Sequence, residues 1–201
     1  MILLLLLALS EPPPPFADRV RQVIETNANV PNGAYQTIAA KLALHRDAEW
    51  NSRRLIELLR EPTGDMFWMF PVTAIAYLDR GQLTPEARAA LRRSWQTYMP
   101  YRGDTENHWL MYYTTLYLMA QKYPGEPGSA WFTGKPSREN FMEAESYLYH
   151  WMRLTTTIGQ GEYDCTHYLG VYLMPLSYLA AWAEDARMRT AATRLLEWLM
   201  A

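Results

Sequence analysis

Residues 107–120 read NHWLMYYTTLYLMA, a stretch whose apolar and aromatic side chains would cover every face of a helix and not one stripe of it. Such a helix belongs inside a protein, surrounded by others. Two further segments share the property, DMFWMFPVTAIAYL at 65–78 and HYLGVYLMPLSYLAAW at 167–182. TPEARAALRRSW at 84–95 and DARMRTAATRLLEW at 185–198 instead carry a clear charged face. An inner layer and an outer layer are implied, and the alternation of the two types along the chain fits antiparallel helical hairpins.

The same helical spacing continues from residue 16 to the end, and no run of alternating residues reads as a strand. The pattern predicts an all-α domain over 16–201, with helices near 16–28, 33–45, 47–60, 65–80, 85–99, 105–122, 137–157, 167–183 and 185–200. Punctuation supports these ends. Thr84-Pro85 supplies an N-cap with Pro at the first helical position, and Ser137 after Pro136 reads as another cap. PGEPGSAWFTGKPS at 124–137 is a loop. RLLEWLMA stops inside an amphipathic pattern without Gly, Asn or Pro, which fits either a helix fraying at its terminus or a fragment of a longer helical domain.

At 201 residues the chain can bury a full hydrophobic core. Its 19 basic and 21 acidic residues leave a net charge of -2, so no global attraction for nucleic acid or an anionic membrane is expected. Eight Trp and 14 Tyr against 5 Phe give much of the ring surface a polar tip, which suits a polar cleft as well as a core. The opening MILLLLLALS reads as a signal peptide over 1–10, followed by a proline-rich spacer over 11–15. A secreted or periplasmic location is the expectation, and the leucine run is too short to span a bilayer. With Cys165 as the single cysteine, no intrachain disulfide can form.

Chemistry-bearing residues gather in two places. Asp104, Glu106, Asn107, His108 and Trp109 stand where a loop turns into the inner helix, with Tyr112 one turn on. If Thr105 caps that helix, Glu106 and Asn107 fall in the first turn, where the helix dipole favours negative charge. The second group follows Gly159 and Gly161: Glu162, Tyr163, Asp164, His167 and Tyr168, again before an apolar helix. Two loops of this design would meet if their helices are neighbouring inner helices running the same way. Taken singly, Asp104 and Asp164 are more simply read as caps, and a histidine beside tryptophan as a hydrogen-bonded core residue. The repetition of the design is what favours function. His108 and His167 lie far apart, no HExxH or paired CxxC occurs, and neither a metal nor another cofactor is expected. Cys165 reads as a structural thiol, not a nucleophile.

The segments TENHWLMYYTTLYLMAQ and GEYDCTHYLGVYLMPLSYLAAWAEDARMR resemble blocks of the α/α-toroid (six-hairpin) carbohydrate-active proteins, polysaccharide lyases of the alginate-lyase and heparinase II/III-like kind and glycoside hydrolases. The resemblance covers roughly residues 60 to 201. It implies an exported enzyme acting on a carbohydrate substrate, with Asn107 and His108 binding or neutralising a uronate carboxylate and Tyr163, Tyr168 or His167 moving protons. The sequence departs from those families in having no arginine inside either block and fewer helices than a closed toroid.

Two mechanisms draw on the same loops. Elimination needs donors for an enolate-like charge and groups that take one proton and give another. Hydrolysis needs two facing carboxylates, for which Glu106 and Glu162 are the natural pair. Trp109, Tyr112, Asp164 and Tyr168 would bind the sugar in either case. A non-catalytic module binding glycans or a protein through the same mouth is the third reading.

Overall fold

The computed structural model describes residues 15–161 and 166–201. The expectations for the leader, for residues 11–14 and for Cys165 lie outside them. Among the described residues the chain folds as α1 (Phe16–Ala28), α2 (Tyr35–Ala43), α3 (Ala48–Leu58), α4 (Met66–Leu78), α5 (Pro85–Thr97), α6 (Glu106–Lys122), α7 (Ser137–Ile158), α8 (Thr166–Trp182) and α9 (Ala186–Met200). A 3-10 turn at Gly128–Ala130 interrupts the loop before α7, and no strand occurs among these residues.

Local chemistry sets several helix ends. Asp65 accepts a hydrogen bond from the Phe67 N–H at 2.9 Å, and Asp185 does the same for Arg187 at 2.9 Å. Thr84 caps α5 through the Ala87 N–H at 3.3 Å, ahead of Pro85. The gap between α2 and α3 is wider than the spacing predicts, because His45 and Asp47 both sit at a left-handed φ of 54° that no α-helix continues through. Ser137 corrects another expectation: it is the first residue of α7 and caps nothing. Its hydroxyl donates to the Tyr123 carbonyl at 2.6 Å and accepts from the Glu126 N–H at 3.1 Å and Trp131 Nε1 at 3.2 Å. It fastens the loop that precedes its own helix.

Burial separates the two kinds of helix. α6 buries Leu110, Met111 and every residue from Tyr113 to Ala120, so it is enclosed over most of its circumference. α5 buries one stripe, Ala87, Ala90, Leu91, Ser94 and Trp95, and α9 buries Met188, Ala192 and Leu195. These are the i, i+3, i+4 and i+7 spacings of helices with one face on the core.

The closest packing joins consecutive helices, α6 with α7 and α8 with α9, and further contacts run along two rows. α2 packs on α4, α4 on α6 and α6 on α8, while α3 packs on α5 and α7 on α9. Hydrogen bonds at both ends of the first row give its direction. At the helix starts, Trp68 Nε1 donates to the Tyr35 hydroxyl at 2.6 Å and the Tyr172 hydroxyl donates to Glu106 at 2.9 Å. At the far ends, Gln82 donates to the Leu42 carbonyl at 3.1 Å, Tyr77 to that of Leu118 at 2.7 Å, and Gln121 to that of Trp182 at 2.9 Å. Starts meet starts and ends meet ends, so α2, α4, α6 and α8 run the same way. Stacked rings also join α4 to α8, Phe70 on Tyr178 at 3.9 Å and Tyr77 on Trp182 at 5.0 Å between centroids. The starts of α4, α6 and α8 consequently share one end of the molecule. No helix among the described residues is long and apolar enough to cross a membrane.

Candidate functional site

At that end, the first turn of α6 places Glu106 between three partners. One carboxylate oxygen accepts from Trp151 Nε1 of α7 at 2.6 Å; the other accepts from the Tyr172 hydroxyl at 2.9 Å and from the Gly161 backbone N–H. A Cβ at position 161 would stand 2.8 Å from that second oxygen, so the absence of a side chain is what lets the backbone come so close. The rings of Trp151 and Tyr172 lie nearly parallel, 12° apart at 5.8 Å. Three donors occupy most of the acceptor capacity of a carboxylate. The Glu106 carboxylate thereby ties α6 to α7, to the loop after α7 and to α8. The loop carrying the second polar group does reach the first, through Gly161. Glu162, Tyr163 and Asp164, which follow it, lie outside the described residues.

Two residues further on, the surroundings change. Thr105 does not cap α6 with its side chain; its hydroxyl lies 2.5 Å from His108 Nδ1, in a hydrogen bond whose direction follows the ring tautomer. The other ring nitrogen, Nε2, faces Asp65 Oδ2 at 3.7 Å, an ion pair when the imidazole is protonated. Phe67 meets the imidazole edge-on at 5.3 Å. Gly103, at φ +79°, allows this arrangement, since a Cβ there would lie 2.7 Å from the His108 Cβ. The imidazole keeps 22% of its side-chain surface exposed and has a flanking hydroxyl and a flanking carboxylate. That is the setting of a group able to accept or deliver a proton.

An aromatic bank adjoins the imidazole along α6. Trp109 Nε1 donates to the Gly103 carbonyl at 2.9 Å, and the Arg102 guanidinium lies 4.1 Å over the Trp109 ring. Arg102 Nη1 also donates to the Tyr113 hydroxyl at 3.3 Å, and Tyr113 stacks on Tyr147 at 4.2 Å. Tyr112 meets Tyr113 edge-on at 5.1 Å, and burial pushes its phenol up to about 12. At neutral pH Tyr112 is a hydrogen-bonding hydroxyl and not a base.

The remaining expected residues fall into two groups. Asn107 points into the interior, 2% exposed, beneath the site and not on its surface. His167 and Tyr168 are exposed at the start of α8, their rings edge to face at 5.8 Å. Asp65, Trp151, Tyr172 and Arg102 were not expected from the sequence. Asp65 and Arg102 carried a signal, since each sits in the loop immediately before an apolar helix. Trp151 and Tyr172 carried none, lying 45 and 66 positions from Glu106 in ordinary helical patterns. Among the described residues no three His, Cys, Asp or Glu side chains gather as a metal site would require. Comparisons of the chain with protein-family models, curated proteins and solved structures found no match.

Proposed function

We propose that the protein is an exported carbohydrate-active enzyme that cleaves a polysaccharide or oligosaccharide by β-elimination, on a two-layer helical scaffold of the α/α-toroid kind. The parallel row α2, α4, α6, α8, flanked by amphipathic helices, supports the scaffold reading. The observation that carries the choice of reaction is the state of Glu106. Hydrolysis needs a carboxylate free to deliver a proton or to act as base or nucleophile across the glycosidic bond, whereas this one is taken up by Trp151, Tyr172 and Gly161. Elimination needs no such pair.

In this reading His108, set between Thr105 and Asp65, removes the proton from the carbon next to the uronate carboxylate. A carbon–carbon double bond forms between that carbon and the next ring carbon, the bond from that next carbon to the bridging oxygen breaks, and His167 or Tyr168 protonates the departing oxygen. Trp109 and Tyr112 border the sugar. A panel of uronate-containing and neutral polysaccharides, followed by ultraviolet absorbance of the conjugated product and by reducing ends, tests this. Rising absorbance on a uronate polymer, lost in His108→Ala, is the expected result. Reducing ends without absorbance would overturn elimination in favour of hydrolysis, and glycan binding without any product would leave a binding module.

A further inference from the structure

A cleft that shares Arg102 and Tyr112 with the aromatic bank opens between the α5–α6 connection and the loop that leads into α7. Its volume is about 620 Å³, within the range of roughly 300–1,000 Å³ that holds small organic ligands. Tyr112 and Phe132 form a wall, their centroids 6.3 Å apart. Met99 and Tyr101 are 70% and 67% exposed and make an apolar rim. Arg102, Lys135 and Glu143 are the charged lining groups, two cations and one carboxylate. Lys135 and Glu143 pair with each other across eight positions. Arg102 has no carboxylate partner among the described residues. Trp109 holds its guanidinium plane from one side and the Tyr113 hydroxyl takes one N–H, which leaves further N–H groups of a rigid fork unclaimed.

One other arginine set on a pair of aromatic rings has its acid. Arg92 lies over Tyr123 and Trp131 and is bound to Glu126. Arg102 has the same aromatic bed without the acid. From this difference we infer that the cleft is a binding site for a small organic anion, a flat apolar body bearing one carboxylate, with the carboxylate on Arg102 and the body between Tyr112, Phe132 and the Met99–Tyr101 rim. A charge-assisted, two-pronged contact to a guanidinium supplies the anion selectivity, and the rings supply the preference for a flat ligand. Glu143 acts against the site, since its carboxylate repels the ligand's and occupies Lys135. The inference rests on no step of the elimination reading, although the two share Tyr112.

Calorimetric titration of the full chain with phenylacetate tests it, with 2-phenylethanol as the uncharged ring probe and acetate as the charge without a ring. Phenylacetate should bind, 2-phenylethanol at least about 10-fold more weakly through loss of one charge-assisted contact, and acetate at least about 10-fold more weakly through loss of the buried ring. Arg102→Gln should weaken phenylacetate by about 10-fold or more, while Glu143→Gln should tighten it by roughly 3-fold or more through release of Lys135. The second variant guards against misfolding of the first, because a gain of binding cannot come from lost structure. Absence of phenylacetate binding, equal binding of 2-phenylethanol, or unchanged affinity in Glu143→Gln would each overturn the proposal. Binding of galacturonate in place of phenylacetate would also overturn it, returning Arg102 to the saccharide site.

Discussion

Glu106 and His108 stand two residues apart in one helical turn, and the fold treats them in opposite ways. Glu106 has three donors drawn from α7, α8 and the loop between them. His108 has a hydroxyl on one side, a carboxylate at 3.7 Å on the other, and an exposed edge. Both residues looked alike as candidates for chemistry. A polar residue at a helix start does structural work when neighbouring elements saturate it and becomes available for chemistry when they do not.

Substitution can break this contrast, and the largest effect should come from the saturated member. Glu106→Ala removes the acceptor shared by two buried side chains and a backbone N–H, and should cost about 3–5 kcal/mol in urea unfolding, since hydrogen bonds to a charged group are worth about 1.5–3 kcal/mol each. A loss below about 1 kcal/mol would mean that Glu106 is not a structural tie. His108→Ala should instead leave stability within about 1 kcal/mol of the parent while lowering elimination by about 100-fold or more, as removal of a general base does. A variant that unfolds with Glu106→Ala-like severity would erase the distinction.

Gly103 serves His108 in two ways, and its replacement sharpens the comparison. Gly103→Ala forces a left-handed φ on an alanine and sets a Cβ 2.7 Å from that of His108, so about 2 kcal/mol of stability should go, together with activity. An alanine variant that keeps full activity would show that the Thr105–His108–Asp65 geometry does not matter.

The smallest effect concerns Tyr112. Its folded phenol lies at about 12, above the ordinary 10.0, mainly through burial. A raised value favours the neutral form, so this contribution to stability is fully present below pH 10.0 and is lost as pH rises through about 12. Unfolding measured across that window should steepen with pH in the parent, and less so in Tyr112→Phe. An identical slope in the two would remove Tyr112 from the account.

Much of the architecture was legible from periodicity alone. Each of the nine helical windows is occupied, and the split into enclosed and one-faced helices follows from whether apolar residues surround the helix or form a stripe. Side-chain roles were less legible. Ser137 and Thr105 stand at helix starts and have the chemistry of caps, yet one fastens a loop and the other meets His108. A hydroxyl takes whichever partner the fold brings near, and local sequence does not contain that choice.

What the sequence by itself determined is the all-helical character of the described residues, the approximate limits of their helices and which helices are enclosed and which bury one face. These depend on contacts between residues three or four apart and on how much apolar surface each helix must hide. Only the tertiary structure decided that α4, α6 and α8 open at the same end, that Trp151 and Tyr172 claim Glu106, that Asn107 turns inward, and that Arg102 lies on Trp109 beside a cleft. Those outcomes depend on which side chains meet across tens of residues, and helical periodicity carries no record of such meetings.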